Sequence, residues 1–394
     1  MADSKIVRRK FFGKLGAGAL GAAAVGLAGA GCSAEPEAAS GKWEPVSDRK
    51  LRVGIVGYGS CQFGAAFGFQ DHPNVQIVAV SDLIAERRRG LMKACRCEKS
   101  YESLEEMVKD DSIEAIFTAT DAPNHAKHSI EILKHGKHSA TAVPAAFGSI
   151  EDAEKLLETV RQTGLKYAMF ETSYFRPDCC AMRAVYEAGG FGKLVYSEGE
   201  YYHHCARPRE SYKGWRVGMP PLWYATHSTA YYVGVSGGQF TMASCFGRRG
   251  TLPHFLPENN PYQNPFDSEI ALFDTTEGGV SRMAVCWGAR IQAVEQGRVF
   301  GERGSMSGMD YQAGLLKKLP DLSQPPLPPG VPAGGHGGSH GRLTDDFVTA
   351  ILTNRRPAVD VYAALAMTVP GIIAHRSAQK DGLRIPVPQY PRPA

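Results

Sequence analysis

Nine cysteines among 394 residues give no C-x-x-C spacing, which excludes a tight zinc or thiol-redox motif of the usual kind. Cys61, Cys95, Cys97, Cys179, Cys180, Cys205, Cys245 and Cys286 read instead as buried thiols. A surplus of one charge is also missing. Five of the 44 basic residues and one of the 40 acidic ones lie in the first 32 positions, so the remainder is balanced. That excludes the basic surface of a nucleic-acid or anionic-membrane binder. Long runs of Leu, Ile or Phe are absent; the extended apolar stretch Leu15–Gly31 is rich in Ala and Gly and makes a poor membrane span. The absence with the most chemical weight lies in Gly136–Phe147, "GKHSATAVPAAF". From Ser139 to Ile150 there is no ionisable side chain, which excludes an acid or base at this strand end.

The N-terminus has what the rest lacks. Arg8-Arg9-Lys10-Phe11-Phe12 precedes the apolar run and resembles a twin-arginine export signal, whose translocase moves already folded proteins. Gly29-Ala30-Gly31-Cys32 offers a lipoprotein cleavage site, with Cys32 as anchor. The expected location is therefore outside the cytoplasm, periplasmic or membrane-anchored. A protein folded in the reducing cytosol before export gains little from disulfides.

Residues 33–50 are polar, with Pro36 and Pro45, and read as a linker after the signal segment 1–32. From Leu51 the pattern alternates short apolar strands with helical segments. Leu51–Val56, Gln76–Asp82 and Ile113–Ala119 are strands, and Ala85–Cys95 and His125–His135 are helical. Such alternation specifies a parallel sheet wound by right-handed crossovers. The fold class is α/β: an N-terminal Rossmann domain over 51–147, then an α+β domain over 148–394 with an open, mostly antiparallel sheet. The strand-like runs Leu194–Tyr202, Thr241–Phe246, Glu269–Thr275 and Val280–Trp287 build that second sheet. Closing helices over 343–377 are expected to pack back toward the Rossmann domain. No internal repeat is present.

Gly57 and Gly59 sit between a strand and a helix-compatible run, the context a dinucleotide fingerprint requires. The first glycine permits the tight turn, and the second lets a pyrophosphate approach backbone N–H groups. Gln62 stands at the third position, with Gly64 two residues on. Asp82 ends the second strand and can accept from a ribose hydroxyl pair, which favours NAD over NADP. Arg87 and Arg88 just beyond keep NADP open.

Thr118-Ala119-Thr120, Pro123-Asn124-His125-Ala126 and Gly136-Lys137-His138 together resemble the Gfo/Idh/MocA oxidoreductase family. The resemblance implies that sugars or cyclitols bind between a nucleotide domain and an open-sheet domain that also supports homo-oligomers. Members usually carry Glu-Lys-Pro after the "GKH" run; here the matching residues are Ala142-Val143-Pro144, so the lysine acid/base is missing. The common Asp-x-x-x-His pair is broken as well, with Trp223 four residues before His227. Trp215-Arg216 and Tyr224-Ala225-Thr226-His227 are similar to glycoside hydrolase family 109, a branch that also lacks the lysine. Tyr174 matches a further Tyr of that branch, and Gly334-Gly335-His336-Gly337-Gly338 its Gly-rich His loop. That branch has Glu where this chain has Ala142.

The resemblance implies a site in which His227, Tyr224 and Tyr174 are catalytic. Gly57, Gly59, Ser60, Cys61, Asp82, Asn124, His125 and Val143 would hold NAD, with Val143 against the nicotinamide. Trp215, Arg216, Thr226 and His336 would touch a carbohydrate. A histidine near its ordinary pKa of about 6.5 can take a hydroxyl proton at neutral pH. After oxidation the neighbouring C–H is acidic; His or a tyrosinate can remove it, a glycosidic oxygen leaves, water adds and the hydride returns. Such a redox-neutral cycle suits an exported protein carrying one recycled NAD. A plain sugar or cyclitol dehydrogenase, and a non-catalytic nucleotide- or sugar-binding protein, are the other readings. His203, His204, Cys205, His336 and His340 match no tight ligand spacing, so no metal is expected.

Overall fold

The protein is described by a computed structural model covering residues 41–312 and 316–393. The twin-arginine segment, Cys32 and linker residues 33–40 lie outside the described residues. Among the described residues, no helix is long and apolar enough to cross a membrane.

Six strands form one sheet: β1 (Leu51–Val56), β2 (Val75–Ser81), β3 (Ser100–Tyr101), β4 (Ala115–Thr118), β5 (His138–Ala142) and β6 (Tyr167–Phe170). Their order, β3-β2-β1-β4-β5-β6, with every pairing parallel, is that of a doubly wound nucleotide-binding sheet. Strands buried on both faces must be apolar throughout, and β4 and β6 are buried at every position. Helices α1 (Phe63–Ala66), α2 (Ala85–Cys95), α3 (Leu104–Met107), α4 (His125–Lys134) and α5 (Ile150–Thr163) lie between the strands. Helix α5 starts where the Ser149 hydroxyl accepts from Asp152 N–H and stops at Gly164 in the left-handed region (φ 65°), a signalled start and stop. The sheet does not end at residue 147 as the sequence suggested. α5 and β6 complete it, because Tyr-Ala-Met-Phe pairs with β5 in parallel register (Ala140 with Ala168).

The second sheet runs β13-β12-β11-β7-β10-β9-β8-β14. Its strands are β7 (Leu194–Tyr202), β8 (Phe240–Arg249), β9 (Phe266–Thr275), β10 (Val280–Cys286), β11 (Val294–Gly301), β12 (Ser305–Ser307), β13 (Asp310–Gln312) and β14 (Ile385–Pro386). β7 and β10 pair in parallel; the other pairings are antiparallel. Helices α6 (Pro177–Glu187) and α7 (Thr226–Ser236) follow β6 and β7 respectively, and α7 is buried along nearly its whole length. It reaches the sheet at Gly199 of β7, where a Cβ would collide with the Ser228 carbonyl; only glycine admits that approach. On the outer face, Phe246, Ile270 and Leu272 are exposed.

A single turn, α8 (Gly335–Gly338), leads into α9 (His340–Leu352), and α10 (Val361–Ala378) closes the helical layer. Leu343, Phe347 and Val348 of α9 share one apolar cluster with Leu51, Val53 and Ile55 of β1, so this helix packs on the nucleotide domain. α10 belongs to the other cluster, with α7 and the second sheet.

Candidate active site

The Gly57–Gly59 turn follows β1 at its carboxyl end, where ligands bind in open α/β sheets. Gly57 has φ 97°, and a Cβ there would strike the Ala119 carbonyl. At Gly59 a Cβ would meet nothing within 4 Å, leaving a cradle open to a ligand. The missing third glycine is supplied two residues late. A Cβ on Gly64 would collide with the Gly57 carbonyl, so Gly64 sets the close helix–strand packing. Gln62 takes the left-handed helix cap instead (φ 51°).

Asp82 lines the same cleft and accepts from Tyr58 N–H at 2.7 Å and Ile84 N–H at 2.8 Å. Ser60 and Cys61 line it too, and the Ser60 hydroxyl donates to the Glu210 carbonyl at 2.8 Å. Arg88 donates to the Asp82 carbonyl, whereas Arg87 faces the cleft and pairs with Glu210. The open cradle, forced turn and strand-end carboxylate fit NAD.

Two expected cofactor residues sit elsewhere. His125 is buried, with Nδ1 2.9 Å from the Pro144 carbonyl and Nε2 3.2 Å from that of Thr120. Burial pushes its pKa down to about 4, and the neutral ring, with one N–H, can donate to only one of the two carbonyls. Asn124 donates to Asp121, and it is Asp121 that lines the cleft.

A second cleft adjoins the first through Cys61, Phe63 and Arg216, which line both. Ala142 and Val143 form part of its floor, so the acid-free stretch does reach the site. His227, in the first turn of α7, is 3% exposed, and its Nδ1 lies 2.7 Å from Glu171 Oε1 and 3.9 Å from Glu295 Oε1. Burial pulls the His227 pKa down, but the Glu171 and Glu295 carboxylates outweigh it, and the net shift is upward. Glu171 is fully buried, accepts from Ser173 N–H at 2.8 Å, and is held ionised by His227 against its own burial. Glu295 accepts from the Ser173 hydroxyl at 2.6 Å. The three groups lie within metal-ligand reach of one another. His227 Nδ1 and Ser173 N–H both meet Glu171 Oε1, the Ser173 hydroxyl meets Glu295 Oε1, and Glu171 Oε2 is buried without a hydrogen-bond partner.

Tyr201 packs 4.5 Å from the His227 ring and parallel to Tyr224 at 6.3 Å between centroids. Both phenols line the cleft, and burial raises both pKa values. That direction favours the protonated phenol over the tyrosinate base the sequence allowed for.

His336 faces His227 with ring planes 10° apart and centroids 6.1 Å apart. Its φ is 51°, a conformation that costs a non-glycine residue about 1–3 kcal/mol. Its Nδ1 lies 2.8 Å from His340 Nε2, and His340 Nδ1 lies 3.1 Å from the Ala66 carbonyl. A carbonyl only accepts, so His340 Nδ1 carries its proton and Nε2 accepts from His336 Nδ1. Gly335 N–H also approaches His340 Nδ1, at 3.4 Å; the shorter carbonyl contact decides the tautomer. His336 Nε2 is then left with a free lone pair. Burial lowers both values, that of His340 to about 4, and the charge of His227 adds to the fall at His336. The site thus holds one histidine biased toward the cation and one biased toward the neutral base.

Three further expectations are corrected. Tyr174 does not reach this cleft: its ring is covered by the Arg183 guanidinium at 3.9 Å, in a different depression. Trp215 lines the dinucleotide cleft and packs edge-on against Phe147. Thr226 is fully buried at the start of α7. Trp223, where a carboxylate was expected, packs against Phe147, Tyr262 and His375. Glu171, Tyr201, Glu295 and His340 were not anticipated as site residues. Glu171 at the carboxyl end of a parallel strand was the one available signal.

Residues 51–171 match the family described as oxidoreductases with an NAD-binding Rossmann fold. The nucleotide domain belongs to the Gfo/Idh/MocA oxidoreductase family. A glycosyl hydrolase family 109 protein of Porphyromonas gingivalis is 29% identical over 163 residues, 39% of this chain and 35% of that protein. The chain thus spans about a third of the length of the first curated relatives it matches. A family 109 protein of Solibacter usitatus is 23% identical over 87% of this chain and 88% of its own. Among solved structures, a levoglucosan dehydrogenase in complex with NADH and levoglucosan superposes with a TM-score of 0.69 at 18% identity. A myo-inositol 2-dehydrogenase of Lactobacillus plantarum gives 0.67 at 16%. Each superposition covers 86% of this chain and 100% of the other, and the likeness is one of fold.

Proposed function

We propose that this Gfo/Idh/MocA-type oxidoreductase holds NAD permanently and cleaves a glycoside through a redox-neutral cycle. One observation carries the reading. Two histidines shifted in opposite directions, His227 up and His336 down, face one cleft contiguous with the dinucleotide cradle. Separated pKa values let the two rings carry different protons in one cycle. A plain dehydrogenase needs one proton carrier, for the hydroxyl; cleavage needs a second, for the leaving oxygen.

NAD bound at Gly57–Gly59 supplies the hydride acceptor and, on return, the donor. His227 Nε2 takes the hydroxyl proton in its neutral form, and Glu171 stabilises the resulting imidazolium through Nδ1–H. Neutral His336 takes the acidic C–H proton at Nε2 and returns it to the departing glycosidic oxygen. Tyr201 and Tyr224 donate hydrogen bonds to substrate oxygens. Water adds across the C=C left by the departing alcohol, hydroxyl to the anomeric carbon and proton to its neighbour, and the His227 imidazolium returns its proton to the carbonyl oxygen as the hydride comes back. Export by the twin-arginine route would suit this cycle, since a recycled cofactor travels inside the folded protein.

The test uses purified protein, a panel of aryl glycosides and absorbance at the NADH band. We expect phenol release with one retained nucleotide per chain and no net NADH. Stoichiometric NADH accumulation on unconjugated sugars would assign a dehydrogenase instead.

A further inference from the structure

The two adjoining clefts differ sharply in charge. Asp82, Glu105, Asp121 and Glu210 all line the dinucleotide cleft. Among the described residues, no Asp or Glu lines the second cleft, which carries Arg209 and Arg216. Neither guanidinium is in an ion pair among the described residues. Arg209 Nη2 donates to His203 Nε2 at 2.7 Å, which orients the fork without neutralising it. The Arg216 guanidinium lies over the Trp215 ring at 4.2 Å and hydrogen-bonds the Tyr224 phenol, so it is held in place without a carboxylate. The carboxylates nearest His227 do not line this cleft: Glu171 meets its Nδ1 at 2.7 Å, and Glu295 accepts from the Ser173 hydroxyl. At Ala142, on the floor, there is no acid either. On the same lining, the Trp287 indole N–H is buried without a protein partner.

Neutral sugars are usually held by paired carboxylates and amides that accept from hydroxyls. Here, apart from the His336 Nε2 lone pair and the hydroxyls, the fixed groups donate, and the two strongest are cationic. Guanidinium forks are suited to planar carboxylates and to sulfate or phosphate oxyanions. We propose that the sugar ring bound beside His227 carries an anionic substituent, a carboxylate or a sulfate ester, held by Arg209 and Arg216. The inference rests on the carbohydrate reading above and adds its charge class. Arg209 lines only the second cleft, whereas Arg216 lines both, so Arg209 is the cleaner probe.

The experiment compares three matched aryl glycosides, the neutral hexoside, its uronide and its 6-sulfate, on wild type, Arg209→Gln and Arg216→Gln. We expect kcat/KM for one anionic substrate to exceed that for the neutral parent by about 10- to 100-fold, the discrimination available to a polar site left unpaired. Arg209→Gln should cut that ratio at least about tenfold while the bound NAD per chain stays unchanged, and high salt should compress it. The uronide and sulfate arms decide which anion is meant. Equal turnover of neutral and anionic substrates would overturn the proposal. So would an Arg209 variant that loses NAD but keeps the ratio, since the guanidinium would then serve the cofactor. Calorimetric binding of free glucuronate, glucose 6-sulfate and glucose is read without turnover. Preferential anion binding with no cleavage would retain the charge assignment and discard only the glycosidase reading; equal binding would discard the assignment itself.

Discussion

Two histidine–glutamate pairs are buried in this protein with nearly the same geometry. His227 Nδ1 lies 2.7 Å from Glu171, and His375 Nδ1 lies 2.6 Å from Glu269. Both glutamates are 0% exposed. The difference lies at the other ring nitrogen. His227 lines a cleft with two tyrosines and a second histidine, whereas His375 Nε2 is buried with no partner. Glu269 accepts from Leu222 N–H at 2.8 Å, so the sealed pair ties α10 and β9 to the loop carrying Tyr224. On the proposed reading, an identical pair is therefore a positioning brace in one place and a proton carrier in the other, according to what Nε2 faces.

Asparagine in place of either histidine keeps a donor near Nδ1 and removes Nε2, so it separates the two roles. His227→Asn should lower kcat/KM by about 10²- to 10⁴-fold, the range for loss of a general acid–base group. His375→Asn should leave it within about threefold. Steady-state kinetics on a cleaved aryl glycoside reads both, and equal losses would abolish the distinction. The next effect is on stability. His375→Ala orphans Glu269, and removing one partner of a buried pair costs about 3–5 kcal/mol. Thermal melting should show a fall of several degrees, with NAD content per folded chain retained.

Charge removal around the open pair should move the pH profile. Glu171 raises the His227 pKa, so Glu171→Gln lowers it. The base form then persists to lower pH, and the acid limb of kcat/KM shifts to lower pH. Glu295, at 3.9 Å against 2.7 Å, should produce the same displacement but a smaller one when changed to Gln. A limb that moves upward, or does not move, would detach that limb from His227.

The parallel sheet was legible because its strands are short apolar runs ending at Gly57, Asp82 and Thr118, a pattern set by burial on both faces. The boundary at 147 was missed because Tyr167–Phe170 follows an amphipathic helix and gives no sign of which sheet it joins. Gly57 and Asp82 were found through motif spacing, and His227 and His336 through the family resemblance. Tyr201, Glu295 and His340 were not, because they converge from β7, β11 and α9, and spacing along the chain does not encode that convergence. Tyr174 shows the converse error: a matching residue type at a matching position whose ring is turned under Arg183.

The smaller predictions concern the pair His336–His340 and that misplaced tyrosine. His340→Ala removes the acceptor that fixes the His336 tautomer, so a fraction of His336 would present N–H, and not its lone pair, to the substrate. We expect a loss of about tenfold in kcat for glycosides with poor leaving groups, at the low end of a general-acid contribution. An activated dinitrophenyl leaving group needs no proton and should recover most of it. His340 also packs on Phe67 at 4.3 Å, and a merely structural lesion would slow both substrates alike. Tyr174→Phe should change kcat/KM by less than about twofold, because its ring contacts Phe175 and Arg183 and lines a different depression from the paired histidines. A larger loss at Tyr174 than at His340 would mean that the cleft rearranges on substrate binding to bring that phenol in.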